Sequence, residues 1–109
     1  MNLVEGEMLK GVLKILVLKL ISNEDLYGYA LVKKLTQQSD GLVTIKEGTL
    51  YPILHSFEQS KDVSSYWQES ETGRKRKYYQ ITEQGKETLK ELITKWRQLE
   101  TATNNVLGG

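Results

Sequence analysis

The chain has 109 residues, of which 39% are apolar and 27% charged, with a single Pro; this supports one compact domain and argues against a disordered chain. The formal net charge is only +1, so no global field marks out a polyanionic partner, and such a partner must be read from where the charges sit. The absence of cysteine excludes a disulfide framework, a thiolate metal site and cysteine catalysis, and leads us to expect a reducing, cytoplasmic setting.

From about Glu5 to Ile21, Leu9, Val12, Leu13, Leu16 and Leu20 recur at helical spacing, and Met8, Ile15, Val17 and Leu18 widen the apolar surface nearly all round. A first helix that is apolar on more than one side needs a second surface, supplied by another helix or another subunit. Its run Val12 to Ile21 is broken by Lys14 and Lys19 and is about half the roughly 20 residues that span a bilayer, so no membrane segment is expected. Glu5 and Glu7 stand where a secretory leader carries cations, so secretion is not expected either.

After the polar break Asn23 to Asp25, Leu31, Val32 and Leu35 predict a second helix over Gly28 to Gln38, ended by Asp40-Gly41. Leu42 to Ile45 is a candidate minimal strand. Leu50, Ile53, Leu54 and Phe57 then mark a third helix, which should begin close before Pro52 or bend there, because proline cannot donate to the carbonyl four residues earlier.

Val63 to Gln68 and Lys75 to Ile81 are rich in β-branched and aromatic residues and flank the polar turn segment Glu69 to Gly73, which predicts a hairpin. Thr82 offers an N-cap oxygen. Beyond it Leu89, Leu92, Ile93, Trp96, Leu99, Thr103 and Val106 alternate at spacings of about three and four, the pattern of a long helix with a seam for another helix. The predicted fold is mainly α (α+β): a winged helix-turn-helix with a two-stranded wing over residues 1–82, and a C-terminal dimerisation helix over residues 83–109.

Arg74, Lys75, Arg76 and Lys77 concentrate four cations beside the hairpin turn, while the remainder of the chain holds 11 basic and 14 acidic residues. Directly after a helix-turn-helix pattern, such a tip is suited to phosphate contacts, although a merely solvated hairpin has the same look. The third helix turns Thr49, Tyr51, Pro52, His55 and Ser56 away from its apolar stripe, toward a major groove, with Lys46 just before it in reach of a phosphate. His55 is the only histidine and has no second imidazole with which to hold a metal. No glycine-rich phosphate loop, Gly-x-Ser-x-Gly elbow or His-Glu-x-x-His helix is present, so neither an enzyme nor a cofactor is expected. Trp96, in the middle of the seam, suits a core or a stacking surface for a ligand.

Leu26-Tyr27-Gly28-Tyr29, Glu47-Gly48-Thr49-Leu50-Tyr51-Pro52-Ile53-Leu54-His55, Tyr66-Trp67 and Arg76-Lys77-Tyr78-Tyr79-Gln80-Ile81-Thr82-Glu83-Gln84-Gly85 together resemble the PadR family, over almost the whole chain. The resemblance implies a homodimeric repressor that binds duplex operator DNA and leaves it when an effector arrives. DNA contacts would come from Lys46, Thr49, Tyr51, Pro52, His55, Arg74, Lys75 and Lys77, and dimer contacts from Leu89, Ile93, Trp96, Leu99 and Val106. The single short terminal helix is similar to the compact branch of the family, in which flat aromatic drugs lie between paired tryptophans at the dimer centre. Met8, Ile15, Leu92, Trp96 and Glu100 would line such a pore, with Glu100 favouring cationic ligands. Two positions depart from the pattern. Lys46 replaces a Ser or Asn cap, and Lys61-Asp62 replaces a Gly-Leu whose Gly ends the helix and whose Leu enters the core, so both are expected to cost stability. The rival readings are a winged-helix protein-interaction module that binds no DNA and a drug-sequestering or purely structural dimer.

Overall fold

The computed structural model describes residues 6–108, which fold in the order α1 (Glu7–Asn23), β1 (Leu26–Tyr27), α2 (Gly28–Gln38), α3 (Glu47–Gln59), β2 (Val63–Glu69), β3 (Lys75–Ile81) and α4 (Glu83–Leu107). The helix start expected near Glu5 lies outside the described residues. Among the described residues no helix is long and apolar enough to cross a membrane.

The apolar faces read from spacing close on one core. Leu13, Val17, Leu18 and Ile21 of α1 meet Leu31 and Leu35 of α2, Leu50, Leu54 and Phe57 of α3, and Leu89 of α4, with Leu26, Val63 and Tyr79 from the strands. Leu54 and Leu18 are wholly enclosed, so truncating either to Ala would cost about 2–5 kcal/mol in lost burial and residual cavity.

The two-stranded wing is present as the antiparallel pair β2 and β3. The sheet has a third strand that the sequence reading did not include, Leu26–Tyr27, paired antiparallel with Tyr79 and Tyr78 in the order β1-β3-β2. Two residues are too few to show a period of two. The segment Leu42 to Ile45 is not a strand: Val43 turns inward, and its main-chain N–H donates to Ser39 Oγ at 3.0 Å.

Pro52 neither starts nor interrupts α3, which runs unbroken from Glu47. The carbonyl it leaves without a donor belongs to Gly48, in the exposed first turn where water reaches it. Thr82 caps α4 as expected, its Oγ1 accepting from the Gly85 N–H at 2.9 Å.

Both α2 and α3 end in the same way. Asp40 (φ 54°) and Lys61 (φ 68°) adopt the left-handed conformation, and the next N–H returns to the helix, Gly41 to Thr36 at 2.8 Å and Asp62 to Phe57 at 3.0 Å. The break at Asp40-Gly41 therefore falls where the sequence placed it.

Candidate nucleic-acid interface

The face of α3 opposite Leu50, Leu54 and Phe57 exposes Thr49, Tyr51, Pro52, His55 and Ser56. Lys46 occupies the N-cap position and makes no capping hydrogen bond with its side chain, while Glu47 in the first turn complements the helix dipole. The Tyr51 hydroxyl donates to Glu47 at 3.5 Å and lies against the start of α2, where a Cβ on Gly28 would come within 2.6 Å of it. Burial, followed by the Glu47 carboxylate, raises the Tyr51 pKa, so the phenol stays a neutral donor.

The basic run divides between the two faces of β3. Lys77 points to the α3 side, where its ammonium donates to Glu58 at 3.3 Å and sits 5.5 Å from the centre of the Tyr79 ring. Burial, with help from Glu58, pushes the Tyr79 phenol up to about 12. On the opposite face the Arg76 guanidinium lies 4.4 Å from the Tyr27 ring centre, beside a tyrosine row in which Tyr66 stacks on Tyr78 at 5.7 Å and Tyr27 meets Tyr78 edge-on at 5.4 Å. The Tyr66 hydroxyl closes that row by donating to Asp25 at 2.6 Å. Arg74 and Lys75, at the exposed turn, make no ion pair among the described residues. Lys77, expected to hold a phosphate, thus has its charge engaged within the chain.

Between α3 and the wing lies an open cleft of about 580 Å³ that gathers Tyr51, Arg74, Lys75 and Lys77 with Glu47, Tyr29 and Trp67. Lys46 and Thr49 face another cleft, of about 440 Å³, shared with Lys10 of α1, and His55 and Pro52 line neither. Trp67, at 66% exposure, and Tyr29 are candidate contacts that the sequence reading missed. The signal was available for Trp67, since alternation along β2 puts it on the face of Val63 and Ser65, away from Tyr66.

The residues expected at a dimer seam and pore are spread over α1 and α4, and none lines either cleft. Leu89, expected at the seam, is enclosed in the protomer's own core. Leu92, Ile93 and Ile15 are partly buried against that core, Trp96 and Glu100 are half-buried, and Met8, Leu99 and Val106 are exposed. Glu100 accepts from Arg97 at 3.4 Å.

Asp62, expected to cost stability in the place of a core Leu, is 6% exposed, and its carboxylate is supplied with partners: it accepts from Thr88 Oγ1 at 2.6 Å, Ser60 Oγ at 2.7 Å and Gln84 Nε2 at 3.2 Å. Burial works to raise its pKa, but the bonds from Thr88, Ser60 and Gln84 together outweigh burial and hold the carboxyl below the ordinary aspartate value.

Comparison with known proteins agrees with this architecture. Residues 17–91 match the Transcriptional regulator PadR-like family. The crystal structure of a PadR-like transcriptional regulator from Bacillus cereus superposes with a TM-score of 0.83 at 40% identity, covering 95% of this chain and 99% of that one. A transcriptional regulator from Clostridium thermocellum gives a TM-score of 0.84 at 30% identity over 92% of this chain and 97% of its own. A Lysinibacillus sphaericus protein, named only as uncharacterized, is 33% identical over 98 residues, which is 90% of each chain.

Proposed function

The chain belongs to the PadR-like family of transcriptional regulators, and from that premise we propose that it is a homodimeric, effector-responsive repressor of operator DNA. The observation that carries the DNA reading is the cleft between α3 and the wing, where Arg74 and Lys75 stand unpaired beside the exposed Tyr51. Two recognition helices related by a two-fold axis would enter successive major grooves about 34–36 Å apart. Thr49, Tyr51, Pro52 and His55 then face base edges, Arg74 and Lys75 meet the flanking phosphates, and Lys46 meets one on the far side of α3.

The dimer reading is supported by the exposed apolar residues Met8, Leu99 and Val106, which lie outside the protomer's core. Residues 1–82 form the DNA-binding unit in this reading, and 83–109 carry the dimer helix. An effector would be a flat aromatic cation held near Trp96, with Met8, Ile15 and Leu92 around it and Glu100 supplying charge. It would act by favouring one separation of the recognition helices, because only differential affinity for two states shifts their populations.

Fluorescence anisotropy against the chain's own upstream promoter DNA, at several salt concentrations, tests the reading. Selective binding is expected, with the Arg74→Ala/Lys75→Ala variant lowering the slope of log K against log salt by about 3.6, since each phosphate contact contributes about 0.9 and the dimer loses two from each of its two wings. Lys77→Ala should leave the slope near that of the parent. Binding that is equal on promoter and random duplex, or absent at every salt concentration, would reassign the wing to protein contacts.

A further inference from the structure

A buried carboxylate costs several kcal/mol unless its lone pairs are satisfied, so the way Asp62 is satisfied is informative. Its N–H closes the end of α3 by returning to Phe57, which makes Asp62 part of the recognition helix's own terminus. A residue at this place in the motif ordinarily makes an apolar contact back to its helix. Here the side chain turns instead to α4, accepting from Thr88 at 2.6 Å and Gln84 at 3.2 Å, 26 and 22 residues away in sequence.

The main chain makes the same connection. The Asp62 carbonyl accepts from the Thr82 N–H at 3.0 Å, and the single Thr82 hydroxyl hydrogen is shared between the Lys61 carbonyl at 2.7 Å and the Asp62 carbonyl at 3.0 Å. The first turn of α4 comes this close because position 85 is glycine; a Cβ there would collide with the Asp62 carbonyl oxygen and with Ile81. Among the described residues no cation neutralises the carboxylate, which is held between the hydroxyl of Ser60 at the end of α3, at 2.7 Å, and the hydroxyl and amide donors Thr88 and Gln84 at the positive end of α4. Elsewhere α4 packs chiefly on α1 and β3, so this turn is its hydrogen-bonded tie to α3.

Apolar contacts slide with little change in energy, whereas bonds to a charged acceptor are short and directional. We propose that Asp62 is a positioning residue for operator binding: its buried carboxylate fixes the end of the recognition helix to the start of α4 and thereby sets the distance between the two recognition helices of a dimer. The proposal rests on the reading of the chain as a DNA-binding dimer, and its test separates the two.

Because the chain has no cysteine, Gln59→Cys at the exposed end of α3 places one spin label on each protomer. Pulsed dipolar spectroscopy then reads the distance between recognition helices, and a narrow distribution is expected for the parent. Asp62→Leu removes the directional bonds while filling the site; it should broaden or shift that distribution and weaken binding to a promoter duplex by about tenfold. Asp62→Asn, which keeps an acceptor for Thr88, should restore most of both. Thr88→Val, which retains the carboxylate, should give an intermediate width and serves in place of Asp62→Leu if that variant fails to fold. A purely structural role would lower the melting temperature and leave the distance distribution of the folded variants unchanged, and that result would overturn the proposal. Absence of any dipolar signal in the parent would instead overturn the dimer.

Discussion

The two halves of α4 share one amphipathic pattern and have different surroundings. From Thr82 to Leu89 the helix is fitted into its own protomer: Gly85 admits the Asp62 carbonyl, Thr88 and Gln84 hold its carboxylate, and Leu89 completes the core. From Leu99 onward the apolar residues of the same stripe face outward, Val106 at 87% exposure. Periodicity reports that a face is apolar; it does not report whether the covering surface belongs to the same chain. In the first half the covering is intramolecular, and the second half is where a partner surface has something to bury.

The sharpest way to break the contrast is to disturb the fitted half. Gly85→Ala should destabilise the protomer by about 3 kcal/mol or more, because the added methyl meets main-chain atoms that cannot rotate aside; urea denaturation measures it. Asp62→Ala should cost about 1–3 kcal/mol at neutral pH, since Thr88 and Gln84 lose their acceptor. The folded-state pKa of Asp62 lies below its unfolded value of 3.8, so its contribution is complete above that pH and is lost as the pH falls through the lower folded value. Urea curves of parent and variant should therefore converge in acid.

Disturbing the outer half should give the opposite signature. Leu99→Asp is expected to weaken self-association by about tenfold in sedimentation equilibrium, while its effect on the stability of the protomer stays within about 0.5 kcal/mol. The smallest effect is a gain. Lys61→Gly removes the strain of a left-handed lysine (φ 68°) and should stabilise the fold by about 0.5–1 kcal/mol in thermal melts.

These pairs also show what could be read from the chain itself. Helical spacing located α1 to α4, and the hydroxyl of Thr82 marked the start of α4, because each signal lies within a few residues. The two-residue β1 carried no period, and its pairing with β3 is a contact across some fifty positions. Asp62 looked costly because its partners Gln84 and Thr88 lie on a different helix, and Lys77 looked available because Glu58 sits 19 residues earlier. The basic wing and the exposed face of α3 were legible as composition and pattern. That Lys77 would meet Glu58 and Arg76 the ring of Tyr27, while Arg74 and Lys75 make no ion pair among the described residues, was not legible, because alternation alone does not say which neighbour waits on each face.

The Schellman-type turn at Lys61-Asp62 has a mechanical consequence. α4 is 25 residues long; Glu83 to Ile93 lie against the turn and the core, and the 14 residues from Thr94 to Leu107 extend beyond them by about 21 Å. Such an arm is a lever: a tilt of about 5° in the packed part moves the far end by about 2 Å, and a displacement imposed at the far end returns to the packed part as a small rotation. In a dimer joined at Leu99 and Val106, the length of that arm would set the gear ratio between the partner surface and the attitude of α3.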